Sequence, residues 1–358
     1  MIDLTLLTDG GLGWLEASGP QSHIVLSTRI RLARNLVGSP FPQRATEADR
    51  ARIAESVIAA TRETRAMRVA VVFELDGLEP VDRQLLHERH LVSKELAGLE
   101  GPSSARSASA LVLEGDTGVM VNEEDHLRLQ TLRSGCALEE AYSAIEALDN
   151  ELGRRLAFAF HREFGYLTAC PTNAGTGLRA SVLIHLPGLV LTKEMTKVLH
   201  GLSQVGLTAR GLYGEGSEIV GNFFQLSNQT TLGKSEEELL DHMGRIVRKV
   251  IAYEEEARSV LAREAPTVIA DKVWRAYGLL RFARNLSFTE AMNLLSAVRL
   301  GAGLKLIDGL SVYTLNKLTI LTQPAHLARS EGRRLTDPDL AAVRAAYVRR
   351  MLEAEPVQ

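Results

Sequence analysis

Arg29 and Arg31 stand two positions apart in Ser27-Thr28-Arg29-Ile30-Arg31, directly after the apolar residues Ile24 to Leu26. In an extended chain they project to the same side. Two like charges side by side are costly unless an anion lies between them, so the pair is either a surface feature or half of an anion site. A second polar segment, Asn122-Glu123-Glu124-Asp125-His126-Leu127-Arg128, sets three acids in a row. As plain structure it reads as a solvated turn with an acidic helix start. A third runs Cys170-Pro171-Thr172-Asn173-Ala174-Gly175-Thr176-Gly177-Leu178-Arg179. It brings a cysteine, a rigid proline, hydrogen-bonding side chains and two glycines ahead of another arginine, and such glycines let a backbone approach a ligand closely. A fourth, Arg210-Gly211-Leu212-Tyr213-Gly214-Glu215-Gly216-Ser217-Glu218, puts an arginine and a glutamate in a glycine-rich loop. Basic residues in this chain are mostly arginine, so a single Arg carries little weight; the local chemistry of these four segments does.

Two phosphate-loop patterns fail on context. Gly233-Lys234-Ser235 resembles the end of a P-loop, but Asn228 occupies the place of its first glycine and Ser235 is explained as a helix cap. Gly175-Thr176-Gly177-Leu178-Arg179-Ala180 matches Gly-x-Gly-x-x-Ala literally. That fingerprint must open a helix, whereas here it opens the strand-like run Ser181 to Leu186, closed by Pro187. The His-Arg-Asp and Asp-Phe-Gly signatures of protein kinases are absent.

The elements that must position these segments are of mixed type. Ile24 to Leu26, Val69 to Phe73, Ala110 to Leu113, Gly118 to Val121, Leu167 to Ala169 and Ser181 to Leu186 read as strands. Thr46 with Asp49 caps a helix ahead of Ile53, Val57 and Ile58, and a second helical stretch runs from about Leu138 to Phe160. After Ser235 the character changes. Ser235 and Glu238 form a capping box, and Leu239, Leu240, Met243, Ile246, Val247, Val250 and Ile251 recur at helical spacing until Pro266 ends the segment. Further helices follow around Val268 to Ala283, after Ser287 and Glu290, and after Asp337, Pro338 and Asp339. The pattern predicts an α+β fold, an antiparallel sheet flanked by helices over residues 1–264, with an all-helical domain over 265–358.

Composition bounds the rest. The 358 residues are 45% apolar and 24% charged with a net charge of −3, which argues against a general attraction to nucleic acid or membrane. Two cysteines, Cys136 and Cys170, make neither a disulfide framework nor a zinc site alone and fit a reducing compartment. Residues 1–13 do not read as a signal peptide, and no stretch approaches the roughly 18 to 20 apolar residues of a spanning helix. The expected location is cytoplasmic.

Taken together and in order, Ser-x-Arg-x-Arg, Asn-Glu-Glu-Asp-His-Leu-Arg, Cys-Pro-Thr-Asn-x-Gly-Thr-Gly-Leu-Arg-Ala-Ser and Arg-Gly-x-x-Gly-Glu resemble the active-site segments of the phosphagen (guanidino) kinases, over a core from about residue 23 to 249. The resemblance implies ATP, with Mg²⁺, as phosphoryl donor and a guanidinium as acceptor. It makes Glu124 and Glu215 the carboxylates that orient the acceptor and withdraw its proton, and Cys170 a reactive thiol that helps hold it without a covalent intermediate. It places nucleotide contacts at Ser27, Thr28, Arg29, Ile30, Arg31, His90, Arg128, Arg179, Ala180, Ser181, Val182, Leu183, Arg210, Gly211, Leu212, Tyr213, Gly214 and Glu215, with Leu183 standing where relatives with small substrates carry a histidine. No metal ligand from the protein is expected. A strand that begins near His23, with a helical domain behind, is the layout of the bacterial protein-arginine kinases, a branch of this family. That layout implies phosphorylation of arginine side chains in proteins, a role in stress response and protein quality control, and as partners a zinc-binding activator, a Clp-type protease and a second copy of the chain. A kinase of a free guanidino metabolite such as arginine and a non-catalytic phosphoarginine-binding adaptor are the alternatives. In this branch the last helices carry an Arg-Asp-x-x-Arg-Ala pocket for phosphoarginine; Arg344-Ala345 matches its second half, while Leu340 and Ala341 replace the Arg-Asp.

Overall fold

The strand predicted at Ile24 to Leu26 is the start of a longer one, β1 (Val25–Arg34), whose alternation organises the molecule. The computed structural model describes residues 12–99, 107–213 and 219–355. Eight strands form one antiparallel sheet: β1, β2 (Val71–Glu74), β3 (Ala110–Glu114), β4 (Thr117–Val121), β5 (Leu127–Ser134), β8 (Leu178–His185), β9 (Leu207–Arg210) and β10 (Phe223–Asn228). Their spatial order is β2-β3-β4-β5-β1-β8-β10-β9, so β1 lies near the centre between β5 and β8. A separate two-stranded hairpin joins β6 (Phe160–His161) to β7 (Gly165–Tyr166).

Side chains of a strand alternate between faces. Ile30 and Leu32 of β1, with Ala180, Val182 and Ile184 of β8, enter the larger apolar cluster. That cluster is closed by helices α1 (Glu47–Arg62), α3 (Leu138–Gly153) and α6 (Glu236–Glu264). On the opposite face Leu26, Leu132, Leu183 and Phe223 pack with Trp14, Leu15 and α2 (Pro80–Glu88). The same cluster takes in Met292, Ile320 and Ala325 from the C-terminal helices.

Those helices are α7 (Pro266–Phe282), α8 (Phe288–Gly303), α9 (Val312–Leu321), α10 (Pro324–Glu331) and α11 (Asp337–Glu353); the short α4 (Pro187–Leu191) and α5 (Met195–Gln204) complete the set. Capping boxes open α1 at Thr46, α6 at Ser235 and α11 at Thr336. Ser235 thus acts as a helix cap and not as a phosphate ligand. Replacing Ser235 by Ala is expected to cost about 1 kcal/mol, read as a lower urea midpoint with kcat unchanged. Pro266 has two effects: lacking an N–H it cannot continue α6, and at the first position of α7 that lack costs nothing.

The C-terminal helices are fastened to the sheet by buried polar groups. Arg299 of α8 donates to the carbonyls of Ser22 (2.8 Å) and His23 (3.0 Å) and to Asn316 Oδ1 (3.2 Å). Its Nη1 also lies 3.2 Å from His185 Nδ1, and His185 Nε2 lies 2.8 Å from Ser296 Oγ. Burial, then the neighbouring Arg299 and Arg258, drives His185 well below the usual histidine range, so it is neutral and can accept through Nδ1. At the other end Glu88 of α2 accepts the N–H groups of Ala325 (3.0 Å) and His326 (3.2 Å) at the start of α10. His326 Nδ1 donates to Glu88 at 2.9 Å, and Arg89 Nε donates to His326 Nε2 at 3.0 Å.

Two expectations are corrected. Leu167 to Ala169 is not a strand, although the Leu167 N–H does bond to the Ala159 carbonyl. The acids at 123–125 do not start a helix: Asn122 to His126 is the turn between β4 and β5, closed by the Asn122 N–H on the His126 carbonyl at 3.0 Å. Asn122 takes a left-handed conformation there, φ 57°, held by its side chain on the carbonyls of Arg50 and Ala108.

Candidate active site

The face of β1 turned away from Ile30 and Leu32 carries Arg29 and Arg31, and the register of the sheet brings more arginines to them. Arg31 sits opposite Arg179 on β8 and Gln130 on β5, and Arg128 lies two residues from Gln130. Arg210 on β9 pairs with Gln225 on β10. All five arginines line one cavity of about 630 Å³, which Glu124, Cys170, His90 and Tyr213 also line. Residues from segments far apart in sequence therefore meet in a single cleft.

Its electrostatics suit an anion. Burial, then Arg128 and Arg179, lowers Arg29 to about 9. Burial lowers Arg31 well below its ordinary value, with Arg29, Arg128 and Arg179 adding to the effect and Glu123 opposing it. Each guanidinium here is held against its own desolvation and against its neighbours' repulsion. Buried Arg31 Nε and Gln225 Oε1 find no hydrogen-bond partner among the described residues. Unsatisfied buried polar atoms facing a cavity point to a ligand.

Glu123 and Glu124 divide their work. Both Glu123 oxygens accept from Arg128 Nη1, at 2.9 and 2.8 Å, deep in the protein. Burial works against the Arg128 charge, but Glu123 outweighs it and holds Arg128 above its ordinary range. Glu124 is the partly exposed member, 3.8 Å from Arg128, and accepts from Asn173 Nδ2 at 3.2 Å. Burial raises its pKa, Arg128 opposes, and Glu123, Asp125 and Glu95 add to the rise. It is the carboxylate available to a cation entering from outside.

Cys170 begins the turn Pro171–Asn173, its Sγ 3.0 Å from Thr172 Oγ1. The two glycines of this segment serve the chain itself. A Cβ on Gly175 would lie 2.6 Å from the Thr231 carbonyl oxygen and one on Gly177 2.7 Å from that of Ala33. Both have positive φ, 104° and 66°, so the close approach they permit is to β1 and to the segment that follows β10, not to a ligand.

At the inner end His90 stacks on Tyr213, centroids 4.9 Å apart and planes 8° apart, with Trp14 edge-on at 5.4 Å. His90 has φ 61°, and Gln130 Nε2 holds its carbonyl at 2.7 Å. Burial, then Arg29, keeps its imidazole neutral, and its buried Nε2 has no partner among the described residues. The Tyr213 hydroxyl meets Gln323 at the start of α10, so the helical part of the chain touches the site's aromatic wall.

Several predicted positions lie elsewhere. Ile30, Ala180 and Val182 point into the core beneath the sheet, because motif neighbours alternate between faces. Leu183 and Leu212 are buried in the apolar cluster above it. Thr28 is fully buried, donating to the Gly135 carbonyl at 2.7 Å and accepting the Ala137 N–H. Ser27, Ser181 and Gly211 flank the cavity without lining it, and Ser181 Oγ lies 3.3 Å from the Arg29 carbonyl. Gly214 and Glu215 lie outside the described residues. Conversely His87, Lys94, Glu95, Glu123, Gln225 and Ser227 line the cavity without having been singled out. Glu123 was legible as Glu124's neighbour; the others sit in no local motif. Arg344 is buried, donating to the carbonyls of Thr322 (2.8 Å) and Leu286 (2.9 Å), which occupies two of its donors in holding helices together.

Comparison with known proteins bears on the family and the fold. A family model for the ATP:guanido phosphotransferase C-terminal catalytic domain matches residues 52–257, and one for the C-terminal domain of the protein-arginine kinase McsB matches residues 266–358. A protein-arginine kinase of Symbiobacterium thermophilum is 48% identical over 347 residues, covering 95% of this chain and 96% of that one. One of Moorella thermoacetica is 48% identical over 350 residues, covering 95% and 97%. Among solved structures, the duplicated taurocyamine kinase of Schistosoma mansoni with bound transition state analog components superposes with a TM-score of 0.61 at 28% identity. The match covers 67% of this chain and about a third, 34%, of that duplicated one. Lombricine kinase shares the fold, with a TM-score of 0.57 at 24% identity over 67% of this chain and 68% of that one.

Proposed function

The chain belongs to the ATP:guanido phosphotransferase family, and within it to the protein-arginine kinases, which phosphorylate arginine side chains of proteins; from that premise we propose how its own residues do so. The observation that carries the proposal is the crowding of Arg29, Arg31, Arg128, Arg179 and Arg210 on one sheet face, within one cavity that also holds the partly exposed carboxylate of Glu124. The five guanidinium groups bind the triphosphate of ATP, and a polyanion among them offsets the burial, and the mutual repulsion added to it, that depress Arg29 and Arg31. His90 and Tyr213 form the wall beside the nucleotide. Substrate arginine enters from the open side, where Glu124 and, by family resemblance, Glu215 grip its guanidinium, with Cys170 beside it.

A protonated guanidinium, pKa above about 12, is a poor nucleophile. The carboxylates take one of its protons as the freed nitrogen lone pair attacks the terminal phosphorus, and the bond from that phosphorus to the bridging oxygen breaks to release ADP. Positioning and charge neutralisation supply most of the acceleration in phosphoryl transfer. Mg²⁺ accompanies the nucleotide in this proposal and would supply charge neutralisation at the phosphates that the arginines hold.

The division into a catalytic unit, 1–264, and a helical unit, 265–358, belongs to the proposal. So do a cytoplasmic location, work in stress response and protein quality control, a zinc-binding activator and a Clp-type protease as partners, and a homodimer. No described helix is long and apolar enough to cross a membrane. Val268, Trp274, Leu279 and Phe282 are exposed on α7, apolar positions interspersed with the charged Asp271 and Arg275, and this exposed apolar area supports pairing with a second copy. The test of function is mass spectrometry of a protein incubated with enzyme and ATP, under conditions that preserve the acid-labile P–N bond. Phosphoarginine on the protein is expected. Turnover of free arginine or creatine, with none of the protein, would overturn the reading.

A further inference from the structure

Three consecutive residues at the end of β1 each grip a different part of the two loops that carry Glu124 and Cys170. Arg34 Nη1 donates to the carbonyls of Ala33 (2.8 Å) and Thr176 (2.9 Å), while its other nitrogens pair with Asp149 and its guanidinium lies 3.4 Å from the centre of the Tyr166 ring. The Leu36 N–H donates to His126 Nδ1 at 3.0 Å. Between them, Asn35 makes contact with both loops at once. Its Oδ1 accepts the His126 N–H at 2.9 Å, and its Nδ2 donates to Asp125 Oδ1 (2.6 Å) and to the Leu167 carbonyl (3.0 Å). Asp125 Oδ1 in turn accepts the Ala169 N–H at 2.6 Å. Asp125 follows Glu124 directly and Ala169 precedes Cys170 directly.

We propose that Asn35 is a positioning residue for phosphoryl transfer: through Asp125 it sets the separation between the Glu124 carboxylate and the Cys170 thiol, and thus the place where the acceptor guanidinium sits. The inference rests on the reading of Glu124 and Cys170 as acceptor-side groups. Three observations separate this role from general support of the core. Asn35 and Asp125 are 1% and 0% exposed, so no water competes for these bonds. Each side-chain donor and acceptor of Asn35 is spent on one of the two loops and none on the sheet. The strand it terminates is the one bearing Arg29 and Arg31, so a single rigid element references the phosphate side and the acceptor side of the cleft to each other. A misplacement of about 1 Å in such a geometry costs about a hundredfold in rate.

The test is a charge-preserving swap. Asn35→Asp sets two carboxylates against each other, Asp125→Asn deprives the Asn35 amide of its anionic acceptor, and the double variant leaves one carboxylate at the contact instead of two with the net charge unchanged. Asp125 Oδ1 accepts from both Asn35 and Ala169, so in the double variant the residue at 125 keeps its oxygen on the Ala169 N–H and the contact with the residue at 35 is relieved of repulsion without its hydrogen bond being remade. The His126 N–H keeps its acceptor and the Leu167 carbonyl loses its donor. Each single variant is expected to lose about 10²-fold in kcat for a protein substrate, with affinity for a fluorescent ATP analogue within about twofold of wild type. The double variant is expected to recover about tenfold over the better single one. Should a single variant fail to fold, the double variant against wild type still reads the same split between kcat and nucleotide affinity. Equal losses of kcat and nucleotide affinity, absence of rescue, or an unchanged kcat in Asn35→Asp would overturn the proposal. Glu124→Gln assayed alongside separates this from its premise: if that variant keeps full activity the acceptor reading itself fails, and if it is inactive while Asn35→Asp is unimpaired only the positioning role fails.

Discussion

Glu124→Gln is expected to lower kcat for protein phosphorylation by about 10²- to 10⁴-fold, while nucleotide binding stays near wild type. The amide keeps the shape and can still meet Asn173, but it can neither take a proton nor neutralise the acceptor's charge. The two carboxylates of this turn do different jobs, and so the neighbouring change has a different signature. Glu123→Gln removes the buried counter-charge of Arg128 and is expected to damage folding, because it leaves a cation stranded in the protein. The pH dependence carries a sign. Burial raises the Glu124 pKa, and the base must be ionised to act, so kcat/KM falls on acidification through a pKa above the ordinary carboxylate range. Loss of that acid limb in Glu124→Gln, measured at saturating ATP, identifies the group. A variant of undiminished rate would remove Glu124 from the mechanism.

Arg31→Met is expected to cut kcat/KM for ATP by about 10²- to 10³-fold and, at the same time, to raise the unfolding midpoint measured without nucleotide. The opposed signs follow from one fact. Arg31 is buried against Arg29, Arg128 and Arg179, with its Nε unsatisfied, so the folded protein holds a charge it would be more stable without. Methionine fills similar volume without the desolvation cost. Function is the reason for the arginine, and stability is what it sacrifices. Thermal scans with and without an ATP analogue are the measurement. The analogue should stabilise the wild type far more than the variant, and a variant that is both less stable and still saturable by ATP would contradict the phosphate cradle.

How much of this was legible depended on whether the information was local. The alternation of Ser27-Thr28-Arg29-Ile30-Arg31 told correctly that the two arginines share a face, and β1 shows the reason. The serine and threonine caps at Thr46 and Ser235 read directly because capping is a matter of three residues. β5 was hidden: the acids before it look like a helix start, although Leu127-Arg128-Leu129-Gln130 alternates as a strand should. The same alternation shows that a motif copied as a continuous string, such as Arg179 to Leu183, mixes cavity-facing and core-facing residues. α9 and α10 were missed because each is short, and α10 opens on proline with no side-chain cap. Asn35 and Gln323 were invisible for a deeper reason. Their partners lie roughly a hundred residues away, in contacts that no spacing rule encodes.

The fastening of α8 and α10 to the sheet has a mechanical consequence. The two family matches meet between residues 257 and 266, and only Ala265 separates α6 from α7, which invites cutting the chain there. A cut would bare Trp14, Leu183 and Phe223 to water and rob the Ser22 and His23 carbonyls of Arg299. The last helices are a buttress under load: whatever leans on α10 pushes, by way of Glu88 and Tyr213, against the wall where His90 stands.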